Sequence, residues 1–200
     1  MRNATGTSLG WDAQGSASIK HVEGESVAKV APLNRLGGMD RKRLDPGKHT
    51  MLLDPTAPGD IMQCLAFAFC ARDAVEGQSF LSKPVGCTRS GEKMFPEYIT
   101  LRSDPFHPEL AVTPWADSLL PNEKIEGIEE GFVKNLLYDW FRTPEEDGKK
   151  PTPVPHNLVL ECQFKSFADL IKSSDRGLPI TRLWYIRVVQ PQTWQRSPIR

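Results

Sequence analysis

The stretch Asp60-Ile61-Met62-Gln63-Cys64-Leu65-Ala66-Phe67-Ala68-Phe69-Cys70 constrains this chain more than any other. Asp60, followed three residues later by Gln63, resembles a capping box, in which each side chain satisfies an orphan amide of the first helical turn. The pattern predicts a helix over 61–75, interrupted in its apolar surface only by Gln63, Arg72 and Asp73. A helix apolar on nearly every side is expected to be buried on several of them, so it belongs at the centre of a fold.

The remaining patterns supply cover for it. Ile125, Ile128, Phe132, Leu136 and Trp140 recur at steps of three and four, with Glu123, Glu126, Glu129, Glu130 and Lys134 opposite, which predicts an amphipathic helix over 122–142. Gly127 and Gly131 would each weaken such a helix by about 1 kcal/mol against alanine, unless a neighbouring backbone packs closely there, and close approach is the preferred reading. Leu158, Leu160, Cys162 and Phe164 alternate with Val159, Glu161 and Gln163, a half-buried strand over 158–164. By the same parity His156 points toward the core. A further strand is expected over 181–190, another near Tyr98–Leu101, and a short helix over 166–173 capped by Ser166. Without a βαβ rhythm these elements imply an α+β fold, helices on a small, mostly antiparallel sheet.

Residues 1–50, rich in Gly, Ser, Ala and charge, show only weak strand-like alternation at Ile19–Val22 and Ser26–Val30, and read as a flexible arm or loosely attached hairpin. Residues 51–200 read as one α+β domain in which 77–120, punctuated by prolines, forms a long irregular cover. The 25 basic residues equal the 25 acidic ones, so no bulk field points to nucleic acid or an anionic membrane. The basic run Asp40-Arg41-Lys42-Arg43 is read as a solvated cluster, and His107, between prolines, as a surface residue. With neither a run of about eighteen apolar residues nor an apolar leader segment, the chain is expected in the cytoplasm and not in a membrane. Cys64, Cys70, Cys87 and Cys162 are too scattered for a disulfide framework and lack zinc-site spacing. No glycine-rich phosphate loop is present. Neither metal nor cofactor is expected.

Three chemistries remain. Cys64 on a helix, with His156 entering a strand much later and Asn157 (or Glu161 or Asp175) to orient the ring, is similar in order and element type to papain-like hydrolases, and would imply a cysteine-dependent hydrolase. No flanking motif of those families accompanies it. Asp60 at the cap also works against a thiolate, and Cys64 lies deeper than the terminus, where the helix dipole acts. Gln163-Phe164-Lys165 looks like a variant of the metal-binding step in restriction-type nucleases, yet no aspartate-bearing strand precedes it to complete a metal site. Lastly, from Arg176 to Arg200 all charges are arginines, and Arg182, Arg187 and Arg196 interleave with Trp184, Tyr185 and Trp194. Such a surface suits a protein partner or self-association, and alternatively RNA or single-stranded DNA. The favoured expectation is a non-enzymatic assembly protein working through that C-terminal surface.

Overall fold

The computed structural model describes residues 2–5, 8–39, 43–140, 148–163, 166–183, 186–193 and 195–196. Along the chain run β1 (Arg2–Thr5), β2 (Ser8–Trp11), α1 (Gly24–Gly37), β3 (Met51–Leu53), α2 (Pro58–Ala68), α3 (Ala71–Val75), β4 (Thr100–Ser103), β5 (Ile125–Glu129), β6 (Phe132–Val133), β7 (Val159–Glu161), α4 (Phe167–Lys172), β8 (Leu178–Ile180), β9 (Val188–Gln190) and β10 (Gln195–Arg196). The fold is α+β. It divides into two compact units, residues 1–59 with 164–184, and residues 60–163 with 185–200.

In the first unit β1 and β2 form an antiparallel hairpin, and β3 pairs with β8 in parallel. The segment Ser26–Val30, expected to alternate as a strand, is instead helical within α1. Its Val27, Val30 and Ala31 follow the three- and four-residue steps of a helix face, and Ala31 is fully buried. Gly10 of β2 makes this packing feasible, since a Cβ there would stand 1.9 Å from the Ala31 carbonyl oxygen. The Ser8 hydroxyl donates to the Arg35 carbonyl at 2.6 Å, and Asn34 Nδ2 to the Trp11 carbonyl at 2.9 Å, satisfying backbone groups where strand meets helix. α4 carries the expected cap, with Ser166 Oγ accepting from the Asp169 amide at 3.1 Å.

The second unit is built on a four-stranded antiparallel sheet of order β6-β5-β4-β7. Leu65, Phe69, Ala71, Ala74, Leu81, Leu101, Ile128, Val133 and Leu136 form its core. The helix expected over 61–75 is present as two pieces. It starts early, at Pro58, whose fixed φ and missing amide suit a first helical position, so Asp60 sits inside the first turn and does not cap it. It breaks at Phe69–Cys70 because the backbone there pairs with another segment, Leu137 N donating to Phe69 O and Ala71 N to Leu137 O, both at 2.8 Å. Nor is α2 buried all round, since Phe67 is exposed.

The helix expected over 122–142 is a β-hairpin, β5 and β6. Glu130 and Gly131, with φ of 48° and 81°, form a two-residue turn of type I′, the hand that matches strand twist. A register shift opposite Leu101 and Arg102 places an extra residue in β5, so Ile125 and Ile128, three apart, are both buried. That bulge turned a strand's period of two into a helical spacing. Close approach of a backbone holds at Gly131, where a Cβ would stand 2.2 Å from the Phe95 carbonyl oxygen, whereas a Cβ on Gly127 would meet the Phe69 ring at 3.4 Å, an ordinary contact. The strand expected over 158–164 is the shorter β7, and of the one expected over 181–190 only β9, Val188–Gln190, is a strand among the described residues, β8 ending just before it at Ile180.

Candidate functional site

Among the described residues no hydrogen bond links Cys64, His156 and Asn157, the residues expected to form a thiol-hydrolase site. Cys64 is half-buried as the seventh residue of α2, remote from the helix start where a dipole favours thiolate. His156 is exposed instead of pointing coreward, and among the described residues no hydrogen bond joins it to Cys64. Asn157 is committed elsewhere. Its Oδ1 accepts from Ser103 Oγ at 2.9 Å, while its Nδ2 donates to the carbonyls of Asp104 at 2.6 Å and Leu110 at 2.7 Å. These bonds clamp the long connection between β4 and β5 onto the sheet.

The Arg182 guanidinium stacks on the Trp11 ring, 3.6 Å from its centroid, as part of the first unit's own packing. Arg187 is exposed, Arg196 lies in β10, and Trp184, Tyr185 and Trp194 fall outside the described residues. Phe164 and Lys165 of the nuclease-like step, and Asp40, Arg41 and Lys42 of the basic run, fall outside them too.

Two concavities flank the sheet of the second unit. A small, partly open apolar cavity of about 30 Å³ lies among Ala66, Phe69, Leu101, Ile125, Gly127, Leu137 and Leu158. An open groove of about 480 Å³ runs beside the outer strand β7, lined by Glu97, Tyr98, Thr100, Glu161, Cys162 and Gln163. Cys162, expected to face the core, is exposed here. Glu97 pairs with Lys93 at 3.4 Å and Glu161 with Arg102. Its described lining presents a thiol, a phenol and two carboxylates.

The sequence places 77–120 in an irregular cover without showing what holds the connection, residues 104–124. Besides Asn157, Asn122 holds it: Nδ2 donates to Thr113 O and the backbone amide to Pro114 O, each at 2.8 Å. Thr113 Oγ1 donates to Trp115 O at 2.9 Å. Lone asparagines beside proline-rich turns were the available signal, because an Asn amide can both donate and accept along a backbone that has no ladder.

The model of the PmbA/TldA metallopeptidase C-terminal domain matches residues 46–197, and the chain belongs to that family. Among solved structures it is similar to a Thermotoga maritima protein described as a candidate modulator of a DNA gyrase, with 25% identity over 90% of this chain and a TM-score of 0.72. A Bacteroides thetaiotaomicron protein described in the same way shares the fold at 18% identity over 88% of the chain, with a TM-score of 0.73. TldE from Thermococcus kodakarensis shares it at 24% identity over 79%, with a TM-score of 0.58. The chain spans only 42%, 40% and 38% of those three proteins. No curated protein matches the sequence.

This family corrects the functional expectation. Membership in a metallopeptidase family overturns the expectation of a non-enzymatic assembly protein. A peptidase metal is held by several converging His, Cys, Asp or Glu side chains. Among the described residues no group of three or more such side chains converges in that way. His107 Nδ1, for one, accepts from the Glu109 amide at 3.3 Å. The donors among the described residues do not by themselves form a site that fits a catalytic metal. No helix among the described residues is long and apolar enough to cross a membrane.

Proposed function

We propose that this chain serves metal-dependent peptide hydrolysis as the part that holds and positions peptide, the metal ligands being supplied by sequence beyond the described residues. The observation that carries this reading is the family match across 46–197. Two features support it. Among the described residues the strand β7 has a sheet neighbour on one side only, and a groove of about 480 Å³ opens beside it, which suits an extended peptide taken up through main-chain hydrogen bonds. The lack of a converging donor set among the described residues separates holding the peptide from activating water.

The test is zinc retention after equilibrium dialysis, run beside peptide binding and peptide cleavage on the chain alone. Binding of peptide without stoichiometric zinc or cleavage is the expected result. Zinc retained one-to-one with cleavage would place the metal in this chain and defeat the reading, as would failure to bind peptide at all.

A further inference from the structure

The connection between β4 and β5 displays large apolar side chains to solvent on a fixed backbone. Phe106 and Leu119 are each 83% exposed, Trp115 61% and Leu110 38%. Asp104, Glu109, Asp117 and Glu123 are interspersed among them, and no Lys or Arg occurs from Ser103 to Glu123. The segment is held by bonds that do not depend on these side chains: Asn157 to the Asp104 and Leu110 carbonyls, Asn122 to Thr113 and Pro114, and Ala116 N to Leu120 O at 2.9 Å. Leu119 has a φ of 62°, in the left-handed region that leucine rarely adopts, and its side chain gains no burial in return. An observed outlier of this kind is a reason to look for function.

We propose that residues 104–123 form a docking surface for a basic peptide bearing apolar side chains, which defines the class of peptide this protein takes up. The inference rests on the peptide-holding reading above. Charge complementarity chooses the occupant, since an acidic surface without a single cation repels acidic segments and draws basic ones. Tryptophan and its aliphatic neighbours supply the anchors, being large side chains already presented and needing little ordering on contact.

Fluorescence anisotropy of labelled peptides with the full chain tests this. One peptide alternates lysine and leucine; its control alternates glutamate and leucine. The lysine peptide is expected to bind at least about tenfold more tightly than the control, and to weaken severalfold between about 0.15 M and about 1 M salt, where the screening length falls from roughly 8 to 3 Å. The double variant Trp115→Ala with Leu119→Ala should lose about tenfold in affinity with an unchanged circular dichroism spectrum, because both side chains are exposed. Asp117→Lys should lose affinity for the lysine peptide and gain it for the control. Equal affinity for both peptides overturns the proposal, as does undiminished binding by these variants. Light scattering adds a further check: a protomer association abolished by the double variant would mean that a second copy covers this surface, which also overturns it. If the lysine peptide binds regardless of these variants, the docking surface falls while peptide holding stands; if neither peptide binds, both fall.

Discussion

The second unit contains two backbone excursions of the same kind with opposite surroundings. Glu130, in the turn between β5 and β6, and Leu119, in the connection before β5, both adopt positive φ without being glycine. At the hairpin the strained residue is one link in a dense set of bonds: Glu130 N donates to Thr100 Oγ1 at 3.2 Å, Gly131 N to Ile99 O at 2.9 Å, and Gly131 O accepts from both Met94 and Phe95 at 3.0 Å. The adjoining Ile128 and Val133 are fully buried. At Leu119 two backbone bonds, Leu119 N to Ala116 O and Ala116 N to Leu120 O, both at 2.9 Å, close the turn, and the side chain stands in water. The difference shows two uses of a left-handed residue. One closes a hairpin that the core requires; the other holds a side chain outward where the core has no use for it.

Gly131→Ala breaks the first region most severely. The new Cβ would stand 2.2 Å from Phe95 O and 2.8 Å from Pro96 O at a φ of 81°, so the wrapping loop or the turn must give way. We expect a loss of about 3 kcal/mol or more in urea unfolding, within the range that strain plus overpacking produces. A loss below about 1 kcal/mol, the scale of an ordinary exposed change, would mean that the turn does not organise the sheet.

Asn157→Ala should act on the second region alone. It removes the clamp on the Asp104 and Leu110 carbonyls and leaves Ser103 Oγ without that partner, at a cost of about 1–2 kcal/mol because the site is only half-buried. Hydrogen exchange should accelerate across 104–110 while β5 and β6 stay protected. Uniform acceleration in both would show that the connection and the sheet open as one unit.

The contrast also explains what could be read in the sequence. The α+β class, the helix after Pro58, the Ser166 cap and the close backbone approach at Gly131 were legible because each depends on local chemistry or a strong apolar pattern. The β5–β6 hairpin was not. Its bulge places Ile125 and Ile128 three apart, and Glu130-Gly131 stands where Asn-Gly or Asp-Gly would announce the turn. In the same way, β-branched Val27 and Val30 hid α1, whose stability comes from packing on Gly10, a partner far away in sequence. The candidate surface was missed for a different reason. Its prolines and exposed apolar residues carry no periodicity, and Asn157 and Asn122 acquire meaning only once the carbonyls they hold are placed. The family assignment depended on similarity over the whole 46–197 stretch, which none of the motifs read from residue chemistry captures.

The smallest effect expected lies in the ion pairs around the hairpin. Lys134 Nζ lies 2.8 Å from Glu129 and holds its carboxyl below the ordinary 4.5, and the hydrogen bond from Lys83, with Arg89 adding to it, does the same for Glu92. Lys134 is in turn raised above 10.5 by Glu129. A carboxyl depressed in the folded chain stabilises it fully above the unfolded value, and that contribution is lost as pH falls through the folded value. For Lys134 the sense is reversed, with stabilisation present below 10.5 and lost as pH rises through the higher folded value. Both members of the pair are exposed, so the effect is screened and small. Glu129→Gln should therefore lower the melting temperature slightly near pH 7, and the difference from the parent should vanish as pH falls through the folded value of Glu129, below 4.5. Added salt should shrink it in the same direction. A difference that persists unchanged in acid would mean that Glu129 supports the hairpin through its shape and neutral hydrogen bonds rather than its charge. The hairpin would then owe its order to the Gly131 turn and the buried Ile128 and Val133 alone, and its contrast with the lightly held Leu119 segment would rest entirely on packing.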